Sequence, residues 1–348
     1  MRALLAVAVS VLVVAACGGS RAGDPVTLGP GSTRPAAEPG TGSLIIARFG
    51  SIVERDLQSG DEVPLFETTA ANSFVLDPAV SPDAATIAFI NMPPAQIEEG
   101  RFDAGSDLWV MSRDGSNPRL LWEHADPNQL VRFPRWESAA SILAIVQEIS
   151  TQDGITRVVY TLQRFDVATG ERETVLEDVL AFDVSPDGQR LVYASLLPQT
   201  GEVLAGSDVA GGDLAELVGA DQFLAPFAYP RFSPDGATIA FAAADQTGAL
   251  GPGVRFVSLF RGQSGRFEPH SAVSLDGLPQ DIWTVEAAGG TAVRIADLKE
   301  DLPSLTWDGS GERIYVLGVS GLYDVNLRSG AVGVIGEGAY HAQLAWVP

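Results

Sequence analysis

The chain has 348 residues, with 44 acidic and 22 basic side chains, a formal charge of −22 and 46% apolar residues. That balance excludes nucleic acid or an anionic membrane face as a direct ligand, because both select clustered cations; solubility explains the acidic excess, and an acidic binding face is the other reading. With 37 Gly, 22 Pro and no useful helical period after residue 16, the chain reads as a turn-rich all-β globule with a sizeable core.

The first segment, MRALLAVAVSVLVVAACGGS (1–20), places Arg2 ahead of apolar residues 3–16, interrupted only by Ser10. The run is shorter than the ~20 residues of a membrane span and reads as a secretory signal peptide. Val14-Ala15-Ala16-Cys17 resembles the lipobox of bacterial lipoproteins. That resemblance implies removal of 1–16 and a diacylglyceryl thioether on Cys17, the only cysteine of the sequence. Ordinary cleavage after Ala16, with Cys17 incidental, is the alternative. Residues 17–42 follow, rich in Gly, Pro, Ser and Thr, and read as a flexible tether. Fully extended, it would reach some 80 Å, at roughly 3.3 Å per residue.

From residue 43 the chain consists of short apolar strands separated by turn residues. SLIIARF (43–49), IVERDLQSG (52–60) and EVPLF (62–66) come first. SPDAATIAF (81–89) then opens a unit that returns as SPDGQRLVY (185–193) and SPDGATIAF (233–241). It returns more weakly as WDGSGERIYV (307–316), and WESAASILAI (136–145) keeps the spacing without the turn residues. Pro presets φ, Asp bonds its own backbone and Gly accepts positive φ, so each copy predicts a tight hairpin. A further strand and small-residue turn follow each copy: LWVMSRDG (108–115), LQRFDVATG (162–170), SDVAGG (207–212), IWTVEAAGG (282–290) and LYDVNLRSG (322–330). A period of roughly 40 to 55 residues with four strands per unit is the signature of a β-propeller.

Five full units occupy 74–335. The final AQLAWVP (342–348) aligns with the first strand of a sixth, Trp346 matching Phe232. The missing strands of that sixth unit are 43–66, at the other end of the chain. The expectation is therefore an all-β, six-bladed β-propeller over 43–348, its last blade shared between the N- and C-terminal strands. Such closure hides the sheet edges that would otherwise pair with other chains. The aromatic residues Trp109, Trp136, Phe232, Trp283, Trp307 and Trp346 recur with the blades and are expected in the core.

The SPDG-x-x-I-A-F unit, followed by D-L-W-V-M (107–111) or D-I-W-T-V (281–285), resembles the TolB-like propellers with their WD-type repeats. The resemblance covers most of 43–348 and is strongest in the first and fourth full units. It implies a docking surface for protein partners, in some relatives for peptides or glycans. TolB itself carries an α/β domain before its propeller, whereas here only the tether precedes the ring. Related propellers precede serine peptidase domains, but GVSG (318–321) lacks the spacing of a nucleophile elbow.

In a four-stranded meander the a–b and c–d turns share one face, and the b–c loops and d–a links share the other. All the long insertions are b–c loops: 91–106, 147–156 and 245–280. Loops of such length are functional or disordered, so the elaborated face is the expected working face. VRFVSLF (254–260) reads either as a lid on the propeller mouth or as an apolar contact for a partner. Arg101, Asp103, Phe256, Phe260, Arg261, Phe267 and His270 are the candidate partner-binding residues. His124, His270 and His341 also map to this face, without the H-x-H or H-E-x-x-H spacing of a metal site. Arg135 and Arg231 occupy equivalent first-strand positions, where blade-to-blade ion pairing is the expected role.

The resulting expectation is a lipid-anchored, monomeric protein of the bacterial cell envelope that binds an envelope protein, peptide or glycan. It would use no cofactor or metal and perform no catalysis. The alternative is a propeller glycosidase, lyase or hydrolase with converging carboxylates at the channel mouth. Glu98, Glu99, Asp103 and Asp107 are its candidate carboxylates.

Overall fold

The computed structural model describes residues 40–48, 50–69, 73–94, 96–98, 101–103, 105–152, 155–197, 201–219, 222–245, 279–338 and 343–348. Among these the chain forms six four-stranded antiparallel sheets and one small hairpin. The first three strands are β1 (Ser43–Arg48), β2 (Ser51–Asp56) and β3 (Glu62–Glu67). Blade 2 begins with β4 (Phe74–Val80) and β5 (Thr86–Met92). The hairpin β6 (Gln96–Glu98) and β7 (Arg101–Asp103) follows, then β8 (Asp107–Ser112) and β9 (Arg119–Trp122) complete the blade. Blade 3 is β10 (Gln129–Ser138), β11 (Ser141–Gln152), β12 (Ile155–Asp166) and β13 (Arg172–Glu177). Blade 4 is β14 (Val179–Val184), β15 (Arg190–Leu197), β16 (Gly201–Asp208) and β17 (Ala215–Val218). Blade 5 is β18 (Phe223–Phe232), β19 (Thr238–Asp245), β20 (Gln280–Glu286) and β21 (Val293–Glu300). Blade 6 is β22 (Ser304–Trp307), β23 (Arg313–Leu317), β24 (Leu322–Asn326) and β25 (Ala331–Gly336). The last strand, β26 (Gln343–Val347), returns to blade 1.

Ring closure is the shared blade that the sequence predicts. Blade 1 has the order β26-β1-β2-β3, with Gln343 to Val347 paired antiparallel to Ala47 to Ser43. The innermost strands touch in cyclic order, β26, β4, β10, β14, β18, β22 and back to β26. Six buried apolar clusters fill the ring, one at each junction between neighbouring blades. Because each sheet is covered on both faces, the second strands read as unbroken apolar runs such as Ile87-Ala88-Phe89-Ile90, all fully buried, rather than as alternating ones. Trp136, Phe232 and Trp307 are buried. Trp109, Trp283 and Trp346 are half-buried and pack against these clusters.

The turns repeat down to the atom. Ser81, Ser185 and Ser233 each donate through Oγ to the aspartate two residues on and accept the backbone N–H five residues on. Asp308 and Ser310 exchange these side chains in blade 6 and keep the pattern. Gly188, Gly236 and Gly311 hold φ near 70° at the fourth position (69, 69 and 72°), and Ala84 is forced to 56° in its blade. The outer edges are blunted alike. Each of the six outermost strands pairs with a register shift, and such irregular edges resist pairing with another chain.

Candidate functional site

The innermost strand of a propeller blade has one edge without a strand partner, so its N–H and C=O groups need side-chain partners. Here the preceding blade supplies acceptors for the N–H groups. Gln343 accepts from Asp77 N (3.0 Å), Asp77 from Phe133 N (3.1 Å) and Asp183 from Phe232 N (2.8 Å). Carbonyls are capped from the opposite side, by the following blade: Trp136 Nε1 donates to Ala79 O and Trp307 Nε1 to Arg231 O, both at 3.0 Å.

The side chains around the channel come from one recurring position, the residue before proline. Asp77, Phe133 and Tyr229 precede Pro78, Pro134 and Pro230, and all three hold positive φ (52, 55 and 48°). Each lies within a bulge of its innermost strand. Left-handed non-glycine residues are costly and persist only where the surroundings enforce them. Their side chains converge: Phe133 and Tyr229 meet edge to face with centroids 5.7 Å apart, and Arg132 lies over Phe133 at 4.8 Å.

Two ion pairs cross between blades at this level. Arg132 Nε donates to Asp77 Oδ2 at 2.6 Å. Arg135 Nε lies 3.3 Å from Asp183 Oδ1 but makes no aligned hydrogen bond, so the contact is electrostatic. Burial pushes the Asp183 carboxyl up to about 6, against the pull of Arg135 and the Phe232 N–H. Burial likewise lowers Arg135 and raises the Tyr229 phenol. Arg135 therefore plays its expected blade-to-blade role. Arg231, its counterpart, does not: Nη1 donates to Pro230 O (2.7 Å) and Phe182 O (3.4 Å).

A second set of carboxylates ties the middle strands to neighbouring links and strands. Asp107 Oδ1 accepts from His124 N (3.1 Å) and contacts His124 Nδ1 at 2.6 Å. Asp281 accepts from Leu298 N and Lys299 N and pairs with Lys299 Nζ at 2.9 Å. Glu202 accepts from Phe227 N at 2.6 Å, and burial pushes its carboxyl up to about 7. These anchors explain the aspartate of the D-x-W pattern, whose structural meaning the sequence leaves open. Asp107 is thus a link anchor, as is its partner His124. No cluster of metal-ligating residues occurs among the described residues.

Of the candidate partner-binding residues, Arg101 and Asp103 fall in β7, on the b–c face as expected; Glu98 falls in β6. Phe256, Phe260, Arg261, Phe267 and His270 lie outside the described residues, as do Cys17, Glu99 and His341. The insertion leaves blade 5 at Asp245 and returns at Gln280, between adjacent strands. In blade 3 the expected 147–156 loop is instead a continuation of the ladder, paired out to Gln152 and Ile155. The opposite face carries an open groove of 650 Å³ between blades 5 and 6, lined by Ser233, Asp235, Arg294, Trp307 and Ser310 among others.

This is a six-bladed β-propeller, and its fold is similar to that of TolB. TolB from Acinetobacter baumannii is similar in structure, with a TM-score of 0.58 and 12% identity over 87% of this chain; the match spans 66% of the TolB chain, just under two thirds. A puromycin-hydrolyzing peptidase from Mycobacterium tuberculosis matches at a TM-score of 0.50 and 14% identity, over 84% of this chain and 43% of its own. An oligogalacturonate lyase in complex with manganese matches at 0.49 and 11%, over 84% and 78%. No protein-family model matches the sequence, and no curated protein matches it. Similarity at these identities establishes the fold alone.

Proposed function

We propose that the protein is a non-catalytic binding scaffold of the bacterial envelope, tethered by lipid on Cys17, which receives a protein or peptide partner on its b–c face. One observation carries this reading: the blades differ from one another on that face and match on the other. The a–b turns repeat the same hydrogen bonds in four blades. The b–c connections range from the two residues between β1 and β2 to a hairpin in blade 2, twelve-residue strands in blade 3 and the long excursion of blade 5. Variable loops on a rigid scaffold are where binding surfaces are built. The carboxylates of the channel and of the links are engaged with backbone N–H groups and cations, which suits a structural role better than acid–base work.

Photo-crosslinking residues placed in cells test it. Val159 and Val319, both exposed, lie in the b–c hairpin of blade 3 and the b–c loop of blade 6; Asn117 and Gln189 lie in turns of the opposite face. A common adduct from Val159 and Val319 that is missing from Asn117 and Gln189 is expected. Adducts only from the turn positions would assign the partner to the other face.

A further inference from the structure

Among the described residues, the innermost strands bring Arg132, Arg135 and Arg231 to this level of the ring against Asp77 and Asp183. Arg132 and Arg135 each lie against a carboxylate. Arg231 has no carboxylate within ion-pair distance among the described residues, although it is only 8% exposed. A neutral amide would cap Pro230 O and Phe182 O as well as a guanidinium does, so the fold alone does not call for its charge. A buried charge without a counter-ion is costly, and the chain's overall −22 gives no reason to concentrate cations here.

The surroundings describe what would balance it. Tyr229 lies beside the guanidinium, with its ring centroid 5.8 Å away, and Phe133 packs edge to face on Tyr229, extending the aromatic wall. Asp77 Oδ2 is occupied by Arg132 and Phe133 N, but its Oδ1 is buried and has no hydrogen-bond partner. The positive-φ residues Asp77, Phe133 and Tyr229 hold these groups in place.

We propose that the channel centre binds a carboxylate-bearing ligand, seated on Arg231 and flanked by the Phe133–Tyr229 pair. A planar guanidinium matches a carboxylate with two parallel hydrogen bonds, and the aromatic wall strengthens them by excluding water. Asp77 Oδ1 offers an acceptor for a donor near that carboxylate, such as the last amide N–H of a peptide or a hydroxyl of a small acid.

Calorimetric titration of the full chain with sodium acetate, with N-acetyl-Gly-Phe and with the C-terminal amide of that peptide tests the proposal. One-to-one binding of at least one acid, and none of the amide, is expected. A peptide acid that binds more tightly than acetate assigns the site to chain termini, and comparable affinities assign it to small free acids. Arg231→Gln keeps a donor for Pro230 O and should weaken binding by about ten- to a hundredfold, the loss of charge-assisted hydrogen bonds. Should that variant not fold, Asp183→Asn carries the test with the opposite sign. It keeps an acceptor for Phe232 N, removes a negative charge and should tighten binding. Absence of binding of both acids to the unmodified chain would overturn the site, as would unchanged affinity in the folded Arg231→Gln variant or, in its place, in Asp183→Asn.

Discussion

Glu202→Gln isolates the cost of one buried charge. Glu202 is 7% exposed, its Oε1 accepts from Phe227 N, and its carboxyl is raised from the usual 4.5 to about 7 by burial. The folded state therefore holds the proton more tightly than the unfolded chain. Its contribution is favourable below 4.5, is lost as pH rises through the window to 7, and is flat above. A rise of this size corresponds to about 3 kcal/mol, of which about 2.5 kcal/mol falls between pH 5 and pH 8. Glutamine keeps an oxygen for Phe227 N and cannot ionise. Any constant cost of the new amide cancels when the same variant is compared at two pH values. Reversible urea unfolding at pH 5 and pH 8 should show the unmodified chain losing about 2–3 kcal/mol more than Glu202→Gln over that interval. Asp183 adds to the loss in both proteins over an overlapping window, from 3.8 to about 6. The aspartates of the Ser-Pro-Asp turns lie below their usual value because of the serine hydroxyl bonds, so they act only in stronger acid. Parallel pH profiles for the two proteins would refute the placement of Glu202 as a buried, nearly unpaired carboxylate.

Three further outcomes are expected. Ala84→Gly should stabilise the fold by about 1 kcal/mol by relieving a left-handed alanine, whereas Gly236→Ala should cost a similar amount; thermal melts of the two variants check the opposite signs. Deletion of 342–348, which removes β26 and opens the ring, should lower the melting temperature far more than deletion of 18–30, and equal melting temperatures would contradict the closure. Cys17→Ser should abolish acyl labelling and release the protein from membranes, since stable attachment takes more than one acyl chain; unchanged membrane partitioning would rule out the lipid anchor.

The architecture is legible in the amino-acid sequence. Ser81-Pro82-Asp83 and its copies at 185 and 233 encode their turns in consecutive residues, and turn chemistry is local. The match of Trp346 to Phe232 likewise revealed the shared blade, because a repeat that breaks off at one terminus and resumes at the other leaves few ways to close. Arg135 and Arg231 were visible as equivalent positions, but their different fates were not. Arg135 meets Asp183 because blade 4 happens to supply a carboxylate at that level, while the described residues bring no such group to Arg231. The left-handed bulges at Asp77, Phe133 and Tyr229 were equally hidden, since each precedes a proline that locally favours extended backbone. Which polar groups meet across the channel follows from the packing of the blades. An unpaired inner strand edge takes its partners from another blade tens of residues away, and no local pattern records that distance.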